Sequence, residues 1–165
     1  MSYSIDEINQ MSQEEFVAAF GTVFEETPAI AHQAWKNRPF ISADHIHQHM
    51  LKVVHEMDQK SQLTFIRSHP DLGSKAKMAE ASVQEQAGAG LDRLTPEEYE
   101  CFQQLNQAYR DKFSFPFIVA VKNHTKDSIL EAFKHRLNNP LDMEIQQALS
   151  EIAQITQLRL STLVK

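Results

Sequence analysis

Phe113-Ser114-Phe115-Pro116-Phe117-Ile118-Val119-Ala120-Val121 is the run whose reading decides the fold. It contains a proline and is nearly continuous in apolar and β-branched residues, as buried extended chain tends to be. No second convincing strand accompanies it, so it has no sheet to join. Its main-chain N–H and C=O groups must still find partners. Water and side chains could supply them, and so could a bound ligand or a helix end.

The rest of the chain reads as helices. Ser4-Ile5-Asp6-Glu7 and Ser12-Gln13-Glu14-Glu15 fit the capping box, in which serine and the following glutamate satisfy each other's amides. Thr27-Pro28 opens a helix that Arg38-Pro39 closes, and Ser42 caps a segment with an apolar face of Ile46, Met50, Val53, Val54 and Met57. Thr95-Pro96-Glu97-Glu98 starts a helix that ends near Phe113. Asp127 is expected to cap the next helix, to about Leu137, and the last runs from about Asp142 to Val164. The expectation is an all-α fold over residues 1–165, a single-domain helical bundle of about eight helices with one short extended segment near 115–121.

Composition narrows the function classes. At 165 residues, with 42% apolar and 23% charged residues, the chain can bury one substantial core. A net charge of −6 without a basic stripe argues against nucleic acid as a partner. Four glycines, at positions 21, 73, 88 and 90, build no phosphate cradle or dinucleotide fingerprint, so no nucleotide cofactor is expected. No apolar run approaches the ~18 residues of a membrane span. The single cysteine, Cys101, reads as mid-helix packing and fits a reducing compartment. The N-terminus lacks a secretory profile. The C-terminal Leu163-Val164-Lys165 is not a peroxisomal signal of the Ser-Lys-Leu type, so a cytoplasmic location is expected.

Four features could carry chemistry. His69 precedes Pro70, and a residue before proline is pushed out of the α region. The helix through Leu63 to Arg67 should therefore stop at Ser68 or His69, placing a near-neutral imidazole at a rigid exit. Ser82-Val83-Gln84-Glu85-Gln86 fits another capping box, whose Glu85 either serves the cap or faces a cleft. Ile145, Leu149, Ile152, Thr156 and Leu163 form an apolar stripe on the last helix, and Arg159 interrupts it. A guanidinium there should meet an anion, either a protein carboxylate or a bound one. His45, His47, His49 and His55 lie on one helix without an H-E-x-x-H pattern, so a solvated face is expected and no metal site.

Taken in order, His69-Pro70-Asp71-Leu72-Gly73, Ser82 to Gln86 followed by Ala89-Gly90-Leu91, Phe113 to Ile118, and Leu158-Arg159-Leu160 resemble the 2-oxo-4-hydroxy-4-carboxy-5-ureidoimidazoline (OHCU) decarboxylase family over nearly the whole chain. The resemblance implies a cofactor-free, all-helical homodimer of urate degradation that yields (S)-allantoin from a small ureidoimidazoline. It assigns His69 and Glu85 to catalysis. It assigns Pro70, Ser82, Val83, Gln84, Glu85, Gln86, Phe117, Ile118, Val119, Ala120, Val121 and Arg159 to substrate binding. Two departures stand out: the stretch between His69 and Ser82 is shorter than in animal members, and Lys122 replaces their frequent arginine. A non-catalytic all-α interaction module and a hydrolase of a related cyclic ureide are the alternatives.

Overall fold

The computed structural model describes residues 1–25, 27–73 and 80–165. Among them are nine α-helices, one more than the expected eight or so, and no sheet. The chain forms two compact units, Met1–Phe65 with Ala153–Lys165, and Ile66–Ile152.

The first unit contains α1 (Ile5–Gln10), α2 (Gln13–Phe20), α3 (Ala29–Ala34), α4 (Ala43–His55) and most of α5 (Gln59–Arg67). Both serine capping boxes form as expected, with Ser4 and Ser12 each bonded reciprocally to the glutamate three residues on. Helix α3 packs against α2 and α4. Phe16, Phe20 and Phe40 fill the space beneath them, with ring centroids 4.8 and 5.7 Å from Phe16. Asn9 fixes the approach to α4 by bonding both the N–H and the C=O of Phe40, at 2.7 and 2.8 Å. The chain ends join in a parallel bridge between Tyr3 and Val164.

The second unit holds α6 (Glu80–Gly88), α7 (Pro96–Phe113), α8 (Lys126–Arg136) and the first part of α9 (Leu141–Leu163). Three local expectations change here. Ser82 is not an N-cap: α6 is already helical at Glu80, so the Ser82–Gln86 run lies inside the helix. Thr125, not Asp127, caps α8, because its hydroxyl accepts from the Ser128 N–H while Asp127 is already the second residue of the helix. Cys101 is exposed on α7 rather than packed.

The expected extended run stops short of Val121: residues 116–119 are neither helix nor strand, and Ala120, at φ −74° and ψ 87°, already turns out of the extended region. Phe113 is the last residue of α7, Ser114 takes a left-handed conformation at φ 63°, and Val121 begins a 3-10 turn ending at Asn123. Phe115 through Val121 are buried. Phe117 stacks on Phe133 of α8 at 3.8 Å, and Tyr109 meets Phe117 edge-on at 5.2 Å. This aromatic packing holds an isolated extended segment in a helical unit without a sheet.

Candidate active site

Helix α5 ends at Arg67, and the His69 N–H makes a last, tightened bond to the Ile66 carbonyl at 3.2 Å. His69 is only 8% exposed, so its imidazole is largely withdrawn from water. Three side chains secure the loop that follows. Arg110 donates to Asp71 Oδ1 at 2.7 Å, Asn106 Nδ2 to the Leu72 carbonyl at 2.9 Å, and the Gly73 N–H to Gln86 Oε1 at 3.0 Å. Gly73 has φ +67°, and an added Cβ would come within 2.9 Å of Leu94 Cδ1. The Leu94 methyl could give way, so it is the positive φ that favours glycine here.

That bond from Gly73 to Gln86 joins the His69 loop to α6. Ser82, Glu85 and Gln86 share one helix face, three and four residues apart. Ser82 and Gln86 are buried and Glu85 is half-buried, whereas Val83 and Gln84 are exposed. Helix α6 ends in a Schellman turn: Leu91 N–H reaches the Gln86 carbonyl at 2.9 Å and Gly90 N–H the Ala87 carbonyl at 3.0 Å. Gly90 supplies the left-handed residue, at φ +81°. The same helix packs against the 3-10 turn at Val121–Asn123. Thus the loop at 69–73, the inner face of α6 and the end of the extended segment meet within one unit.

The main-chain accounting of that segment is partly answered by side chains. Arg136 NH1 donates to the Ile118 carbonyl at 2.6 Å, and the Ala120 N–H to Glu151 Oε1 at 3.2 Å. Arg67 Nε donates to the Ser114 carbonyl at 2.8 Å. Arg136 itself pairs with Glu144 at 2.7 Å, and Tyr109 donates its hydroxyl to the same carboxylate oxygen at 2.7 Å. Burial, then the bond to Glu144, pushes the Tyr109 hydroxyl far above the usual phenol range, so it remains a donor. Arg136, Glu144, Tyr109 and Glu151 carry no local motif. The available signal was charge at core-facing positions, Arg136 following Ile129 and Phe133, and Glu144 beside Ile145.

Arg159 is buried on the α9 stripe, as its spacing implied, and belongs to the first unit. Of the two anions left open, a protein carboxylate is present: its NH1 donates to Glu25 Oε2 and to the Val23 carbonyl, each at 3.0 Å. Glu25 is 2% exposed and left-handed, at φ 53°. The histidines of α4 do not form one solvated face. His47 is buried against Thr156 Oγ1 at 2.9 Å, and His45 and His49 bring their Nε2 atoms to 3.0 Å; of the four only His55 is exposed. Among the described residues no group of three or more His, Cys, Asp or Glu is arranged to hold a metal ion. No described helix is long and apolar enough to cross a membrane.

The fold and this arrangement define an all-α protein with a buried imidazole on a braced loop, backed by a polar helix face. Comparison with known proteins makes the class specific. The OHCU decarboxylase family matches residues 9–161. The OHCU decarboxylase of Halalkalicoccus jeotgali is 45% identical, covering 97% of this chain and 91% of that one. The uric acid degradation bifunctional protein PucL of Bacillus subtilis is 41% identical over 98% of this chain, which spans 33% of its length. A crystal structure of (S)-allantoin synthase superposes with TM-score 0.81 at 25% identity, covering 98% of this chain and 54% of that one. A crystal structure of OHCU decarboxylase in the presence of (S)-allantoin shares the fold, at TM-score 0.70, 20% identity and coverage of 92% and 97%. The chain belongs to the OHCU decarboxylase family.

Proposed function

We propose that this chain, a carboxy-lyase of urate degradation, converts OHCU to (S)-allantoin with His69 as the principal catalytic residue. The observation that carries the reading is the joining of the buried His69 loop to the α6 face through Gly73 and Gln86. Breaking the C–C bond to the carboxylate releases CO2 and leaves an electron pair on carbon. The adjacent C=N and carbonyl groups of the substrate can take up that pair. The protein must then orient the carboxylate, stabilise developing charge and place one proton on one face of the neighbouring ureido-bearing carbon, while the hydroxyl gives up its proton and becomes the ring carbonyl.

His69 hydrogen-bonds the substrate's hydroxyl and carboxylate region, promotes loss of CO2 and takes part in reprotonation. Its burial favours one approach direction, which is what an enantiospecific proton transfer needs. Pro70 shapes the adjoining contact. On α6, Glu85 holds ureido or ring N–H groups, flanked by Ser82 and Gln86 on the same face. Val83 and Gln84 point outward, so any part they play runs through the main chain. Main-chain groups of Phe117 to Val121 receive ring carbonyls. Arg159 is assigned to a substrate oxygen by the family resemblance, and its bonds to Glu25 and Val23 fix the guanidinium's orientation. The lone Cys101 fits action in the cytoplasm, and the family resemblance supports a homodimer.

The test supplies freshly generated urate-oxidation product and follows (S)-allantoin against spontaneous decay. The expected result is rapid formation of the (S)-enantiomer with CO2 release. CO2-free addition of water would establish the hydrolase alternative instead, and no acceleration would overturn the decarboxylase reading. A His69→Ala chain that kept the unmodified rate would remove His69 from the mechanism.

A further inference from the structure

We infer that the buried Arg136–Glu144 pair and Glu151 are positioning residues, which hold the edge of the extended segment so that the Val119 N–H is presented to the substrate. This rests on the decarboxylase reading above.

The argument begins with a cost. Two charges removed from water are repaid only when geometry and additional hydrogen bonds are good, and an apolar pair of similar volume is often as stable. Arg136 and Glu144 are 5% and 0% exposed, so the cost is incurred in full. What the ion pair supplies and an apolar pair does not is a donor with a fixed direction. Glu144 receives Arg136 Nε and the Tyr109 hydroxyl on one oxygen, and Asn139 Nδ2 on the other at 2.9 Å. The guanidinium also lies over the Phe117 ring, 4.3 Å from its centroid. Held from both sides, it delivers NH1 to the Ile118 carbonyl.

Among the described residues the sole cis peptide is Arg38–Pro39, so the Ile118–Val119 peptide is trans. In a trans peptide the C=O and the following N–H point in opposite directions. Anchoring the Ile118 carbonyl on Arg136 therefore turns the Val119 N–H to the opposite edge. In extended chain, hydrogen-bonding groups alternate edges with period two. Glu151 takes the Ala120 N–H, which falls on the same edge as the Ile118 carbonyl. Helices α8 and α9 thus hold one edge together. Val119 is 4% exposed, and among the described residues its N–H has no hydrogen-bond partner. A buried donor left for a ligand is one that a ring carbonyl can use.

Two measurements test this. The first follows backbone amide resonances of the isotopically labelled protein during titration with (S)-allantoin. Val119 is expected to move in the unmodified protein and to lose most of that response in Arg136→Lys, which keeps charge but not the fork. The second is kinetic: an interaction made equally with substrate and transition state predicts a KM raised about tenfold, with kcat within about twofold. Should Arg136→Lys not fold, Glu151→Leu tests the same edge, and Glu151→Gln, which retains an acceptor for Ala120, is expected to recover KM to within about twofold. A static Val119 amide while amides of α6 and the His69 loop respond would overturn the positioning role and leave the decarboxylase reading standing. So would variants that melt earlier at unchanged KM. If the unmodified chain forms no (S)-allantoin, the reading beneath falls, and this one with it.

Discussion

Each compact unit contains a buried arginine–carboxylate pair, Arg159–Glu25 in one and Arg136–Glu144 in the other, and they teach different things. Arg159 interrupts an apolar stripe, so its burial and its need for an anion follow from spacing alone. Its carboxylate does not, because 134 residues separate the partners. Arg136 lies in the basic last turn of α8 with Lys134 and His135, where cations suit the helix dipole and ordinarily face solvent. Burial of that one cation depends on the extended segment that it anchors. The first pair is legible as an anomaly within one helix; the second exists only once the tertiary structure has brought three elements together.

The sharpest way to break this contrast is to ask which unit carries the chemistry. If the His69-containing unit does, His69→Ala lowers kcat for (S)-allantoin formation by about 10²- to 10⁴-fold, the usual contribution of a positioned acid–base group. The circular dichroism and thermal midpoint should change little, since the bonds at Asp71, Leu72 and Gly73 still hold the loop. An unchanged rate would move the chemistry elsewhere.

Next in size are the pairs themselves. Removing one partner leaves an uncompensated buried charge, so Arg136→Met and Arg159→Met should each cost about 3–5 kcal/mol in urea unfolding. The doubles Arg136→Met/Glu144→Met and Arg159→Met/Glu25→Met should recover much of it. Activity then separates the roles. Should the second double regain both stability and KM, Arg159 is a strut for Glu25. Regained stability with a KM still raised assigns it to a substrate oxygen.

How far the sequence reached is explained by the range of the interactions involved. Serine boxes, the proline after His69 and the stripe of α9 are effects of neighbouring residues, and all three were readable. The start of α6 was misplaced for the same reason: Ser82 and Glu85 have cap spacing, but the helix already runs through Glu80 and Ala81, which makes Ser82 an inward-facing interior residue. Asn106 and Glu25 act across the fold, through a carbonyl and a guanidinium far away in sequence, and no local pattern marks them. Candidate residues with a neighbour-made constraint, such as His69 and Arg159, stand out in the sequence; the residues that brace them do not.

A smaller effect concerns His47, one turn of α9 away from Arg159 through its bond to Thr156. Burial lowers its pKa from 6.5, against the opposing influence of the Ala153 backbone and Asp44. The unfolded chain therefore binds a proton more readily than the folded one below about pH 6.5, and stability must fall with pH from there toward the lower folded-state value. His47→Gln keeps a donor for Thr156 and removes the titration. Its urea midpoint should decline less than the unmodified protein's between neutral pH and mildly acidic pH. Equal declines would place the acid sensitivity at other groups.

The smallest expected change is at the junction between α7 and the extended segment. Ser114 adopts φ 63°, a conformation that a side chain disfavours and glycine does not. Ser114→Gly relieves that strain but also frees the unfolded chain, so the two effects oppose each other and the net gain should not exceed about 1 kcal/mol. The Ser114 carbonyl is bonded by Arg67 Nε, and that bond survives the substitution because it involves only the main chain. Stability should rise slightly and KM should stay constant, since the anchors that orient Val119 lie farther along, at Ile118 and Ala120. A raised KM in Ser114→Gly would show that the direction of the segment is set at its entry, at the end of α7, and would shift the positioning role away from Arg136 and Glu151.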